Sequence, residues 1–168
     1  MNRILIPHDG SDFSYQIFTH IVKLVSPKDS ELVLLRVIPN PSGMTGAPPR
    51  PMSVDVTTPM FNSGTDAEYA NHPIYASQEL ESLESETTEA LDEDARPLRT
   101  AGYTVSIHCR IGDAAQEIVK FAQSERIDAI AMTTHGRSGL SRIIFGSVAH
   151  AVLRDIAIPI ILLRPAQP

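Results

Sequence analysis

The 168-residue chain has a single cysteine, Cys109, so no internal disulfide can form, and the composition suits a reducing cytoplasm. It has no uninterrupted apolar run of about 18 residues, so no membrane-spanning helix is expected. The apolar run in Met1-Asn2-Arg3-Ile4-Leu5-Ile6-Pro7 is too short for a signal peptide. Bases are scarce: 14 Lys and Arg face 20 Asp and Glu, for a net charge of −6. That balance argues against a nucleic-acid or acidic-membrane partner, which would call for a basic face. It leaves open a small anion held by backbone N–H groups. His8, His20, His72, His108, His135 and His150 show no metal-ligand spacing, which removes a classical zinc finger.

What is present is an ordinary globular composition, 42% hydrophobic and 20% charged, in a length that fits one domain over residues 1–168. Ile4-Leu5-Ile6 is a short continuous apolar run, the pattern of a buried parallel strand. After the turn at His8–Asp12, with Ser11 or Asp12 as cap, Phe13, Ile17, Phe18, Ile21, Leu24 and Val25 recur at helical steps. Residues 32–38 form a second apolar strand, completing a βαβ unit. Strand 103–107, a helix opened by Gly112-Asp113, strand 127–132, a helix over 147–155 and strand 158–163 continue the alternation. The expected class is α/β: a Rossmann-like, doubly wound, five-stranded parallel sheet with helices on both faces. Pro159 lacks a ladder donor, so the last strand is expected at a sheet edge, where pairing with a second copy would cover it as a homodimer.

Residues 39–75 break the rhythm. They hold seven of the thirteen prolines, and no period of 2 or 3.6 persists. We read a long irregular insertion, a solvated excursion ahead of a lid or interaction arm. The helix resumes at Ala76, with Leu80, Leu83, Thr87, Leu91 and Leu98 near one stripe, and Gly102 closes it. Residues 76–94 carry eight acids and no base, read as a solvated helix back in preference to a docking face for a basic partner.

In open α/β sheets ligands bind beyond the carboxyl ends of the strands, where strand order reverses. The loop from Thr133 to Ser147 reaches that rim. It runs Thr133-Thr134-His135-Gly136-Arg137-Ser138-Gly139 and ends in Gly146-Ser147 at a helix start. Glycines admit close approach of backbone N–H groups, and a helix N-terminus stabilises a nearby anion by about 0.3–1 kcal/mol when exposed. The Ser147 hydroxyl can donate as well, and Arg137 is the nearest base. Each residue alone reads as turn or cap; together they read as a phosphate cradle. There is no Gly-Lys-Ser/Thr and no Gly-x-Gly-x-x-Gly after the first strand, so neither the P-loop nor the dinucleotide fingerprint applies. Gly136-Arg137-Ser138-Gly139 falls one residue short of a serine-hydrolase elbow.

Two segments, residues 4–11 and residues 132–139 through Gly146-Ser147-Val148, give the chain its resemblance to the ATP-binding branch of the universal stress protein family. That branch carries Gly, two residues, Gly, nine residues, then Gly-Ser or Gly-Thr. Here the second glycine is Gly136, nine residues separate it from Gly146-Ser147, and the first position is Thr133. A positive φ there would strain a β-branched residue; at the end of an extended strand threonine is acceptable, and its hydroxyl is a further donor. The resemblance implies that Asp9 contacts the base or ribose and that the backbone near Val37 faces the adenine. Thr133, Gly136, Arg137, Gly146, Ser147 and Val148 would hold the phosphates, with Pro7, Met132 and His135 beside them. His135 is equally a loop-stabilising residue. It implies ATP or another adenine nucleotide accompanied by Mg²⁺, and a homodimer through the last strand. The expected role is cytoplasmic and regulatory. Any ATP hydrolysis would be slow, with Ser147 as an alternative phosphoryl acceptor. The competing expectation is an interaction module of the same fold that binds no nucleotide.

Overall fold

The computed structural model describes residues 1–40, 73–134 and 146–165, with 73–79 described by their backbone alone. In chain order the elements are β1 (Asn2–Pro7), α1 (Asp12–Leu24), β2 (Ser30–Ile38), α2 (Pro73–Thr100), β3 (Thr104–Ile111), α3 (Ala114–Ser124), β4 (Ala129–Thr133), α4 (Ser147–Asp155) and β5 (Ile160–Leu163). The expected insertion at 39–75 lies outside the described residues, apart from residues 39–40 and the start of α2.

The five strands form one sheet in the order β3-β2-β1-β4-β5. Every pairing is parallel, with Ile4 opposite Leu32 on one side and Ala129 on the other. Alternation along each strand sends neighbouring residues to opposite faces. Ile4 and Ile6 join Leu32 and Leu34 beneath α1 and α2, packed on Ile17, Phe18, Ile21, Leu91, Ala95 and Leu98. Leu5, Val33 and Leu35 face the other way, onto Ile118, Phe121, Ala149 and Val152 of α3 and α4. Burial on both faces is the reason these strands read as continuous apolar runs. The doubly wound sheet with helices on both faces is therefore present, and β5 lies at an edge.

Boundaries differ where tertiary pairing extends or trims a local signal. β3 runs to Ile111, beyond the alternating stretch 103–107, because each residue from Thr104 to Ile111 meets a partner on β2. β5 starts at Ile160, after Pro159, which serves the ladder through its carbonyl by accepting from the Ile130 N–H at 2.9 Å. β4 starts at Ala129, with Ile127 buried just ahead of it. α2 begins at Pro73 instead of Ala76; proline is suited to a first helical turn because its missing N–H is not needed there. The end of α2 is a Schellman closure: Gly102, at φ +93°, donates to Arg99 O, and Tyr103 donates to Leu98 O. Leu24, expected on the inner stripe of α1, is 63% exposed; Val25 packs beside the core as expected, and Val22, not expected there, joins it. No described helix is long and apolar enough to cross a membrane.

Leu91 is fully buried between α2 and the sheet. We expect Leu91→Ala to lower unfolding free energy by about 2–5 kcal/mol, and Leu24→Ala to change it by less than about 0.5 kcal/mol. Urea denaturation of the two variants beside the parent chain measures both.

Candidate functional site

Strand order reverses between β1 and β4, and the chain leaves these two strands toward opposite faces. α1 follows β1 onto one face, and α4 follows β4 onto the other. The crevice between the two departures is a cavity of about 340 Å³. Pro7, Asp9, Val37, Met132, Thr133, Gly146, Ser147 and Val148, all singled out from the sequence, line it together. His135, Gly136 and Arg137 lie outside the described residues. Leu35, Ala114, Ile118 and Ala149 complete an apolar wall that the sequence reading did not assign to the site. Ala114 was legible only as an inward residue of α3; that the first turn of α3 opens onto the crevice depends on where β3 ends.

Thr133 is the last residue of β4 and pairs with Leu163, so it is extended and unstrained. Gly146 has φ −61°, a value open to any residue. Its value to the site is therefore the missing side chain at the cavity wall, not a left-handed backbone. The Gly146 N–H donates to Thr134 O, which ties the start of α4 to the end of β4.

Residues from the first turns of three helices reach the cavity: Ser14 of α1, Ala114 of α3 and Ser147 of α4. Two of these N-termini are already compensated. The Ser11 hydroxyl accepts from Ser14 N, with Asp12 in the first turn of α1. The Asp113 carboxylate accepts from Gln116 N, with Glu117 in the first turn of α3. α4 differs. Gly146 is its N-cap and supplies no side-chain acceptor, and the first turn holds no acid. The first N–H groups of a helix have no intrahelical partner, and Ser147, Val148 and Ala149, which carry them here, line the cavity, with Ser147 exposed. The arrangement suits an anion.

Asp9 stands across the cavity in a side-chain turn: its Oδ1 accepts from Ser11 N at 3.0 Å and from Ser11 Oγ at 2.6 Å. The next residue back is the unexpected part of the site. The His8 side chain is fully buried, stacked on Phe18 and met edge-on by Tyr15. Its Nδ1 lies 3.2 Å from Gly10 N and 3.0 Å from Arg36 Nη2. Both partners are donors, so Nδ1 accepts and the proton sits on Nε2, which is buried without a hydrogen-bond partner among the described residues. Arg36 Nη2 also meets Asp94 Oδ2 at 3.0 Å, and the Tyr15 hydroxyl donates to Asp94 Oδ1. The sequence reading treated the acids of α2 as a solvated back; among the described side chains of that run, Asp94 turns inward to this cluster, a contact between residues 58 positions apart that no local pattern signals.

Burial lowers the pKa of His8 to about 4, opposed by the nearby Asp94 carboxylate and aided by the Arg36 charge. An unfolded chain binds that proton near 6.5. The unfolded state therefore holds more protons below 6.5, so the stability from neutral His8 is complete above pH 6.5 and is lost as pH falls toward 4. We expect a loss of up to about 3 kcal/mol over that window, and a flatter profile by the same amount in His8→Asn, whose amide oxygen can replace Nδ1 as acceptor. Urea titrations at half-unit pH steps measure the two slopes.

The universal stress protein family model matches residues 1–164. Universal stress protein MJ0531 of Methanocaldococcus jannaschii is 29% identical over 164 residues, covering 96% of this chain and 81% of that protein. Among solved structures, that of MJ0577, from the same organism, aligns with a TM-score of 0.75 at 22% identity, over 99% of this chain and 98% of that one. An Arabidopsis thaliana family member solved with AMP bound aligns with a TM-score of 0.57 at 12% identity, over 99% and 93% of the two chains. At such identities the solved structures establish the shared fold. The family match over nearly the full length goes further: this chain belongs to the universal stress protein family.

Proposed function

We propose that this chain binds an adenine nucleotide at the cavity between β1 and β4 and acts as a regulatory protein through that binding. The observation that carries the reading is the N-terminus of α4, without a side-chain cap or first-turn acid among the described residues, lining the same cavity as Asp9. An adenine nucleotide has the matching polarity. Its phosphates need N–H and O–H donors, which the backbone of Ser147 and Val148 and the Ser147 hydroxyl offer, with Gly146 leaving room for their approach. Its ribose hydroxyls or base amine need an acceptor, which Asp9 offers. Its flat purine needs an apolar slot, for which Val37, Leu35 and Ile118 are suited. The volume, about 340 Å³, lies within the usual range for small-molecule sites. The AMP-bound plant relative supports the choice of adenine nucleotide. Mg²⁺ would accompany a triphosphate, taking oxygen ligands from the phosphates themselves.

The output of such a site is a shift between conformations or partners, which requires the nucleotide to prefer one of them. β5 pairs, among the described residues, with β4 on one side only, which supports a second copy docking along its outer edge.

Calorimetry and thermal melts with ATP, AMP and cyclic AMP, each with and without Mg²⁺, test the reading. We expect saturable heat and a raised Tm with at least one of them. Ser147→Ala should weaken that ligand by about 1.5–3 kcal/mol, or roughly tenfold to a hundredfold, through loss of a hydrogen bond to a charged group. Absence of heat and of any melting shift with all three would favour the nucleotide-free interaction module.

A further inference from the structure

The turn that carries Asp9 is held from outside the cavity. Arg36, on β2, donates through Nε to His8 O at 3.3 Å and through Nη2 toward His8 Nδ1 at 3.0 Å. Gly10, at φ +79°, lies directly under the guanidinium: a Cβ at this position would stand 2.8 Å from Arg36 Nη2. The Gly10 N–H closes the turn on His8 Nδ1 at 3.2 Å. Arg36 is itself oriented by Asp94 of α2 at 3.0 Å, and Tyr15 of α1 fixes the other oxygen of that carboxylate. Of the residues on either side of Asp9, His8 is therefore fastened to the guanidinium and Gly10 to the His8 ring, packed under that guanidinium, and the guanidinium is fastened to α2. Neither Arg36 nor Asp94 lines the cavity.

This ion pair is not a surface ornament. The two side chains are 14% and 11% exposed. A pair so buried gains little net stability over apolar residues of similar volume, because its desolvation offsets its attraction. What it supplies is geometry, since a planar guanidinium with several donors fixes orientation in a way an apolar contact cannot. Resting on the nucleotide-binding reading, the geometry points to Arg36 and Asp94 as positioning residues that hold the His8–Gly10 turn and aim Asp9 at the nucleoside half of the ligand. The phosphate half, bound at the start of α4, is independent of them. The clamp thus sets selectivity for nucleoside over bare phosphate chain.

The test uses the full chain and two probes, ATP and inorganic tripolyphosphate. Both carry a polyphosphate, so a change in the protein's charge affects them alike and cancels in their affinity ratio. Asp94→Asn removes the charge that orients Arg36. Arg36→Lys keeps a cation but loses the fork. In each variant we expect the preference for ATP over tripolyphosphate to fall about tenfold, with tripolyphosphate affinity within twofold of the parent. Tyr15→Phe removes one hydrogen bond from Asp94 at a 38% exposed residue and should show a two- to threefold fall; it carries the test if a buried variant does not fold. An unchanged ratio in the folded variants overturns the clamp while leaving nucleotide binding intact. An equal loss of both probes also overturns it, since it would mark a general loosening of the fold. A parent chain that binds neither probe overturns the nucleotide reading, and the clamp with it. A parent that binds ATP no better than tripolyphosphate overturns the clamp, because no nucleoside contact exists to be aimed.

Discussion

The site depends on a divergence of chain paths at the middle of the sheet. β1 and β4 are neighbours and parallel, yet the helices that follow them pack on opposite faces. Side chains from the two departing segments cannot fill the space between them, so a crevice opens at the carboxyl ends of the strands. Every described residue assigned to the site borders that opening. β1 delivers Asp9 to one wall, β4 delivers Thr133 and the start of α4 to the other, and β2 and α3 supply the apolar floor.

Charge is arranged around this opening in a way net composition conceals. The chain carries −6 overall, but among the described residues the start of α4 meets the cavity with neither a capping side chain nor a first-turn acid. The starts of α1 and α3 hold their own acids and are already compensated. Among the described residues, one of the three helix starts is thereby left without a cap, at a position where glycine precedes the helix. Beneath the same rim, Arg36 and Asp94 neutralise one another next to a histidine kept uncharged by burial. The cavity thus has one electropositive wall and one carboxylate wall.

The two halves of the site were unequally legible. The Gly146-Ser147 helix start and the Asp9 turn are local: both follow a strand, and short-range residue types announce them. All the lining residues named from sequence that fall within the described chain are brought to one cavity; the alternation of strands and helices located its rim, and the family resemblance named the individual residues. The clamp was not legible. His8 looked like a turn residue, Arg36 was passed over within the apolar strand 32–38, and Asp94 looked like one acid among eight. Their meeting needs β2 beside β1 and the last turns of α2 over both, a pairing across 58 residues.

Local chemistry in the sequence therefore determined the elements, their alternation, the class of fold and the position of the Gly146-Ser147 helix start, because period and capping act over a few residues. Only the tertiary structure decided where strands ended, which apolar residues of α1 and α2 were inside, and which charged residues became partners. Those outcomes depend on what lies across the sheet or on the facing helix, and neighbours in space at large sequence separation leave no periodic trace along the chain.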